Sequence, residues 1–274
     1  SVNAFVLRGA RPVFVDIRPD TLNIDERLVE AAITPRTKAL MVVHYAGVGC
    51  EMGALTAIAE RHGLTVVEDN AHGLFGRYRG RLLGSFGAMS TLSFHETKNF
   101  TCGEGGALVL NDGALTERAE IIREKGTNRS RFYRGQIDKY TWVDIGSSYL
   151  PSDLLAAYLC AQLEARDLVQ ARRHAIWAGY DSALASWADA NGIGRPQVPA
   201  HCDHPAHISY LLMPSLDART RLLAELRRAL ILLTFHYQPL HLSDMGRRFG
   251  GQVGQCPVTE DVSDRLVRLP VYFN

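Results

Sequence analysis

Ser93-Phe94-His95-Glu96-Thr97-Lys98-Asn99, followed by Gly103-Glu104-Gly105-Gly106, sets one lysine among aromatic, hydroxyl and glycine neighbours just past a β-like run. Upstream, Val66-Val67-Glu68-Asp69-Asn70-Ala71-His72 reads as a second strand, and it ends in an acid. Runs of this kind alternate with helical stretches through the first half of the chain. Residues 12–16 read as a strand, 25–33 as a short helix and 39–45 as a buried strand, apolar at nearly every position as in a parallel sheet. Residues 54–61 make an amphipathic helix that Gly63 closes, and strands follow at 65–68, 91–94 and 107–110. A helix over 116–124, ended by Gly126, completes the series. Strands alternating with helices predict an α/β layer fold.

From Ser152, a plausible N-cap, the character changes. Leu155, Leu159 and Leu163 mark one face of a long helix that runs to about Ala185. A Gly/Pro-rich linker over 191–199 leads to strands at 207–213 and 231–237 around a helix at 218–229. The expected organisation is a partial large domain over residues 1–165 and a smaller α/β domain over 166–274, entered by the long helix.

Composition narrows the function classes. The 274 residues are 46% hydrophobic and 22% charged, enough for real cores. Thirty basic and 29 acidic side chains leave a net charge of +1, without the basic excess of a nucleic-acid or membrane-surface protein. The five cysteines lie far apart with no C-x-x-C pair, as expected for reduced thiols in the cytoplasm. No apolar run reaches the length of a membrane span. The opening lacks a starting Met and a signal design, and the end follows closely on an apolar run, so both ends read as cut.

The chemistry-bearing residues gather at strand ends, where open α/β sheets bind ligands. Lys98 stands there before a glycine-rich turn, and partial desolvation lowers a lysine towards its nucleophilic neutral form. Asp69 ends its strand as either a local cap or a functional carboxylate, while Glu68 alternates to the opposite face. A lysine nucleophile and an acid at neighbouring strand ends are what pyridoxal phosphate (PLP) chemistry requires. His72 is either a packed histidine or a contact of the cofactor's ring. Ser93 is a candidate phosphate ligand or a serine that bonds backbone, and His95 and Asn99 flank the lysine at the same mouth. His236 and Tyr237, in Phe235-His236-Tyr237-Gln238-Pro239-Leu240-His241, either suit substrate contact or belong to an ordinary surface at a strand's end. His201-Cys202-Asp203-His204 with His207 looks like a metal cluster but lacks regular ligand spacing, so no metal is expected. A nicotinamide site is disfavoured, because no G-x-G-x-x-G follows an early strand.

The whole chain resembles the DegT/DnrJ/EryC1/StrS family of sugar-nucleotide aminotransferases, and within it the dTDP-4-amino-4,6-dideoxygalactose transaminase group. The likeness is carried by Asn3-Ala4-Phe5-Val6-Leu7-Arg8-Gly9-Ala10, Val43-His44-Tyr45-Ala46-Gly47 and the Lys98 segment. It continues through Glu120-Ile121-Ile122-Arg123-Glu124-Lys125-Gly126-Thr127-Asn128-Arg129-Ser130 and Tyr140-Thr141-Trp142. Asp144-Ile145-Gly146-Ser147-Ser148-Tyr149-Leu150 and Phe235-His236-Tyr237 complete it.

The resemblance implies a fold-type I PLP enzyme with a mixed, mostly parallel sheet between helices, acting as a homodimer with shared active sites. It implies Lys98 as the lysine that carries the cofactor, Asp69 as partner of the pyridine nitrogen, His72 as a ring contact and Ser93 as a phosphate ligand. It further implies amino transfer from L-glutamate to C4 of dTDP-4-keto-6-deoxyglucose, feeding surface-polysaccharide synthesis such as lipopolysaccharide or enterobacterial common antigen. The family's opening phosphate loop and ring-stacking aromatic, and its last helices, are expected outside this stretch. Leu150 stands where many relatives carry asparagine. Sugar dehydratases of the family replace the lysine with histidine, so Lys98 speaks against that alternative; a non-catalytic PLP-fold fragment is the other.

Overall fold

Three parallel strands and one antiparallel strand carry the first half of the molecule. The computed structural model describes residues 1–236 and 238–273. The chain opens with helix α1 (Val2–Val6) and α2 (Glu26–Val29), then strand β1 (Ala39–Val43), α3 (Met52–His62) and β2 (Thr65–Asp69). A small hairpin, β3 (Arg77–Tyr78) and β4 (Arg81–Leu82), precedes β5 (Met89–Ser93) and β6 (Gly106–Leu110). Helices α4 (Thr116–Arg123), α5 (Arg129–Tyr133), α6 (Asp153–Glu164) and α7 (Arg166–Ala190) follow. The remainder is β7 (Cys202–Asp203), β8 (Ser209–Leu212), α8 (Leu216–Arg228), β9 (Thr234–Phe235), α9 (Asp244–Arg248), α10 (Pro257–Arg265) and β10 (Leu266–Leu269).

The first sheet has the order β1-β2-β5-β6, with β1, β2 and β5 parallel and β6 antiparallel. This is the mixed, mostly parallel sheet that the sequence leads one to expect. Helix α3 packs on one face because Met52, Leu55, Ile58 and Ala59 recur at helical spacing and meet Leu40, Val42 and Val66 in one core cluster. Gly63 ends α3 in the left-handed conformation, φ 62°, as a C′ glycine does. A second sheet, β8-β10-β9, belongs to the C-terminal part, and a third, β4-β3-β7, is completed by a strand from it.

Several expected elements differ. Residues 12–16 form no strand: Pro12 offers no N–H, and the buried Asp16 instead accepts from the Val258 and Thr259 N–H groups (both 2.9 Å), capping α10 from a distance. The long helix is two helices that meet at Ala165 (ψ 12°), with no proline or glycine at the junction and, among the described residues, no side-chain interaction that explains the break. Ser152 caps the first of them as expected, and the second continues past Ala185 to Ala190. Of the strand expected at 231–237, whose last residue lies outside the described residues, Thr234–Phe235 forms: Leu230 turns into the left-handed region at φ 61°, and among the described residues β9 pairs with β10 alone. No helix among the described residues is long and apolar enough to cross a membrane.

Glu68 ties β2 to the turn after β4. It is fully buried and accepts from the N–H groups of Gly84 (2.8 Å), Phe86 (2.7 Å) and Gly87 (2.7 Å). His44 Nδ1 accepts the Cys50 N–H, so its Nε2 carries the proton and donates to Glu68 Oε2 at 2.9 Å. Burial alone would push this carboxyl up, but the His44 bond and the backbone donors outweigh it and hold the group below its ordinary value of 4.5. Glu68→Gln should therefore lose about 3 kcal/mol of stability at pH 7, because the donors it leaves are buried. The wild-type advantage is complete above pH 4.5 and declines as pH falls through the lower folded-state value. Urea unfolding at pH 7 and pH 4 measures both, and equal midpoints at pH 7 would refute this.

Candidate active site

The parallel pairing of β2 with β5 sets Asp69 opposite Thr91, and alternation brings Ser93 to the same face two residues on. Asp69 Oδ1 accepts the Ala71 N–H at 3.1 Å, and its Oδ2 accepts the Ser1 hydroxyl. The Ser93 hydroxyl receives a long bond of 3.5 Å from the His95 N–H, which leaves its own proton to give. Beyond Ser93 the chain closes on itself: Phe94 N–H donates to Gly105 O (2.8 Å) and Cys102 N–H to Phe94 O (3.0 Å). The buried rings of Phe94 and Phe100 anchor this loop. Lys98 N–H turns back onto His95 O at 2.9 Å. Its half-buried ammonium is pushed below the ordinary 10.5 by burial, with Arg268 adding to the effect and Asp69 opposing it.

Around this amine stands a group of rings drawn from distant segments. His72 and His207 stack at 4.4 Å, and Tyr45 lies 6.0 Å from His72 and 5.2 Å from His236. The Tyr45 hydroxyl and His236 Nδ1 are hydrogen-bonded. Tyr45 sits in a tight turn in which Asn23 Oδ1 receives its N–H at 2.8 Å. Gly47 in that turn has φ +85°, and a Cβ there would lie 2.5 Å from Pro205 Cδ and 2.7 Å from the His72 carbonyl. Glycine is what lets the turn approach.

The rings are held neutral. Burial pushes His72 and His207 well below the ordinary 6.5, and their neighbours' charges, Lys98 and Arg268 among them, act in the same direction. His236 falls to about 4 through burial, then Arg268 and Lys98. Asn99 Nδ2 donates to Pro205 O (2.7 Å), so its Oδ1 is the acceptor for His207 Nδ1 at 2.7 Å. His207 is thus a neutral ring with its proton on Nδ1. Arg173 clamps the same segment by donating to Ala206 O (3.2 Å), His207 O (2.9 Å) and Val271 O (2.9 Å). Its burial, with Arg268 adding, lowers its pKa to about 10.

The expected site residues divide accordingly. Asp69, His72, Ser93, Lys98 and His236 converge. Asn99 is also inside, but its amide serves His207 and Pro205. His95 faces outward, bonded to Thr97 Oγ1 (3.0 Å) and 3.5 Å from Glu104. Tyr237 lies outside the described residues. The metal-like run disperses: His201 binds Glu51 (2.9 Å), Cys202 enters β7, His204 packs on Trp177 (4.6 Å) and His207 joins the rings. No group of three metal-ligating residues occurs among the described residues. Sequence reading missed Tyr45, Arg173 and Arg268, and it noticed His207 for another reason. The buried run before Tyr45 was a signal for the first; for the two arginines no local pattern exists.

A primary amine held towards neutrality, a carboxylate and a free hydroxyl on one sheet edge, and neutral rings around them, suit nucleophilic and proton-transfer chemistry. Comparison with known proteins agrees. The chain is 32% identical over 280 residues to the spore coat polysaccharide biosynthesis protein SpsC of Bacillus subtilis, covering 99% of this chain and 71% of that one. Among solved structures it is similar to PseC of Helicobacter pylori, an aminotransferase involved in the biosynthesis of pseudoaminic acid (TM-score 0.89, 26% identity, 99% of this chain and 71% of that one). The PLP-form of the putative sugar aminotransferase Spr1654 from Streptococcus pneumoniae gives TM-score 0.89 at 26% identity, over 99% of this chain and 73% of that one. The sequence pattern of one family, whose aminotransferases depend on PLP, matches residues 1–274. The chain belongs to the DegT/DnrJ/EryC1/StrS aminotransferase family.

Proposed function

We propose that this chain is a cytoplasmic sugar-nucleotide transaminase. It moves an amino group from L-glutamate to C4 of a dTDP-4-keto-6-deoxy sugar, forming dTDP-4-amino-4,6-dideoxygalactose for a surface polysaccharide. The observation that carries the reading is the half-buried, downshifted amine of Lys98 beside the Asp69 carboxylate and the Ser93 hydroxyl. The sugar side is supported by the sequence motifs and by relatives named for polysaccharide and pseudoaminic acid synthesis.

The residues fit PLP. His72 Nδ1 is a buried polar atom without a hydrogen-bond partner among the described residues, which suits a contact with the cofactor's ring. Lys98 would hold the cofactor through its amine, Asp69 would keep a proton on the ring nitrogen, and Ser93 would donate to the phosphate. When bound, PLP supplies an electron-accepting ring that stabilises the charge left by a broken Cα–H bond. The neutral amine of Lys98 is then the base that takes the donor's Cα proton, and in the second half-reaction it delivers a proton to C4 of the sugar. The neutral rings exclude water and add no competing acid at the pH of the cell.

In this reading residues 1–165 form part of the large cofactor-binding domain and 166–274 the smaller one. The enzyme is a homodimer with shared active sites, and the apolar surface around Trp142 (72% exposed), Ile145 (63%), Tyr149 (65%) and Leu154 (84%) supports a partner there.

With PLP the protein should be yellow, and borohydride should fix the cofactor on Lys98. Lys98→Ala should abolish glutamate-dependent amination of dTDP-4-keto-6-deoxyglucose, and persisting turnover would sink the assignment. Asp69→Asn should retain the cofactor yet lower kcat about 100-fold or more; an unchanged kcat would remove Asp69 from its role. Sedimentation should give a dimer for the wild type and a monomer for Leu154→Glu, whereas a dimeric variant would move the interface elsewhere.

A further inference from the structure

Strand β10 carries Arg268 in the middle of the second sheet, with Tyr210 and Thr234 as its cross-strand partners. Its neighbours in the strand, Val267 and Leu269, face the core formed with Ala188, Ile193 and Leu211. Arg268 projects from the other face, where Tyr210 and Leu266 pack with Ala46 and Tyr45 in one cluster. That face borders the ring group described above: Tyr45 lies 6.3 Å from Tyr210 and 5.2 Å from His236.

Other partly buried arginines have internal partners. Arg18 meets Asp20 at 2.7 Å and Glu26 at 2.9 Å, and Arg173 donates to three carbonyls. Arg268 is half-buried, and among the described residues no carboxylate or carbonyl accepts from its guanidinium. A cation drawn partly out of water without a partner is costly, and a hydrophobic strand residue would be cheaper. Its charge reaches the site, where it adds to burial in lowering Lys98, His72, His207 and His236. Among the described residues, the site therefore presents an uncommitted guanidinium fork beside neutral rings.

We propose that Arg268 is the carboxylate anchor for the amino donor. The inference rests on the transaminase reading, in which two substrates use one site in turn. The donor is an amino acid and brings carboxylates that match a planar guanidinium through two parallel N–H···O bonds. The acceptor's reacting ring carries no charge, and the neutral faces of Tyr45 and His236 receive it instead. Arg268 thus discriminates by half-reaction: it tightens the donor step and leaves the sugar step alone.

The test uses the PLP-loaded enzyme and follows the cofactor's spectrum in each half-reaction separately. Arg268→Gln should raise the glutamate concentration for half-conversion about 10- to 100-fold, the loss expected for a charged hydrogen-bonded pair. It should leave the reverse half-reaction with dTDP-4-amino-4,6-dideoxygalactose within about twofold, the margin of a group that makes no sugar contact. Arg268→Lys should recover part of the loss. The Gln variant should melt no lower than the wild type, since an unpartnered cation contributes no internal bond; a clear drop would mark a structural role and overturn the proposal. An unchanged glutamate dependence overturns it as well, and so does selective loss of the sugar step, which would assign Arg268 to the nucleotide's phosphates.

Calorimetric titration of 2-oxoglutarate reads the anchor without turnover. Binding by the wild type that Arg268→Gln loses supports the proposal, and equal heats or none overturn it. Turnover that survives in Lys98→Ala would refute the reading of the site, while the calorimetric comparison of Arg268 with its Gln variant would still stand.

Discussion

The buried carboxylate of Glu68 organises what surrounds it. Four donors converge on it from one histidine and one turn, and they fix strand β2 against the segment after β4. Because side chains alternate along a strand, a residue pinned on one face sets the aim of the next on the other. Asp69 follows Glu68 directly, so the clasp on the inner face is what holds the Asp69 carboxylate on the outer face. The pairing of β2 with β5 then carries that precision to Ser93 and to the loop bearing Lys98. The precision of the site begins in a network that touches none of its chemistry.

The site itself is governed by desolvation. Tyr45, His72, His207 and His236 crowd the lysine with rings, and burial keeps all three histidines uncharged. Lys98 responds in the same direction and moves towards the amine that acts as a nucleophile. Two scaffolding groups make this possible at a distance. Asn99 fixes the tautomer of His207, and Arg173 ties the chain that carries it to α7 and to the residues after β10. A charged side chain is thus used as a purely mechanical clamp, while the chemistry is left to groups kept near neutrality.

Legibility in the sequence followed the range of the interactions. The placement of Asp69 and Ser93 could be read because each ends a strand visible as a local apolar run, and that of Lys98 because it follows the second of these strands before a glycine-rich turn. The face of Glu68 could be read because alternation is also local. The mixed sheet and the helix over residues 54–61, with its closing glycine, belong to the same class. Residues 12–16 misled because their apolar pattern serves an extended segment whose one polar group, Asp16, caps a helix at the far end of the chain. The break at Ala165 leaves no mark in residue type. Tyr45, Arg173 and Arg268 reach the site through sheet register and helix packing that no window of sequence contains. His207 was visible as a histidine, but its neighbours His201 and His204 suggested a grouping that the fold pulls apart. The family was carried by motifs spread over the whole chain, whereas the choice of sugar depends on contacts those motifs do not spell out.

Asp16 and α10 have a consequence for how the molecule comes into being. The cap joins residues 242 positions apart, and β7 is paired with β3 across another long stretch of chain. Contacts of this kind form only after a large loop has been closed, and they favour slow, late assembly. Helix α10 runs directly into β10, so the strand that bears Arg268 is seated by the same event. On the ribosome, the lysine and its acid can be in place while the last strand is still unmade. The end of the sheet that bears Asp69 and Ser93 can therefore form early in folding, and the ring group around it is complete only when the two distant parts of the chain have met.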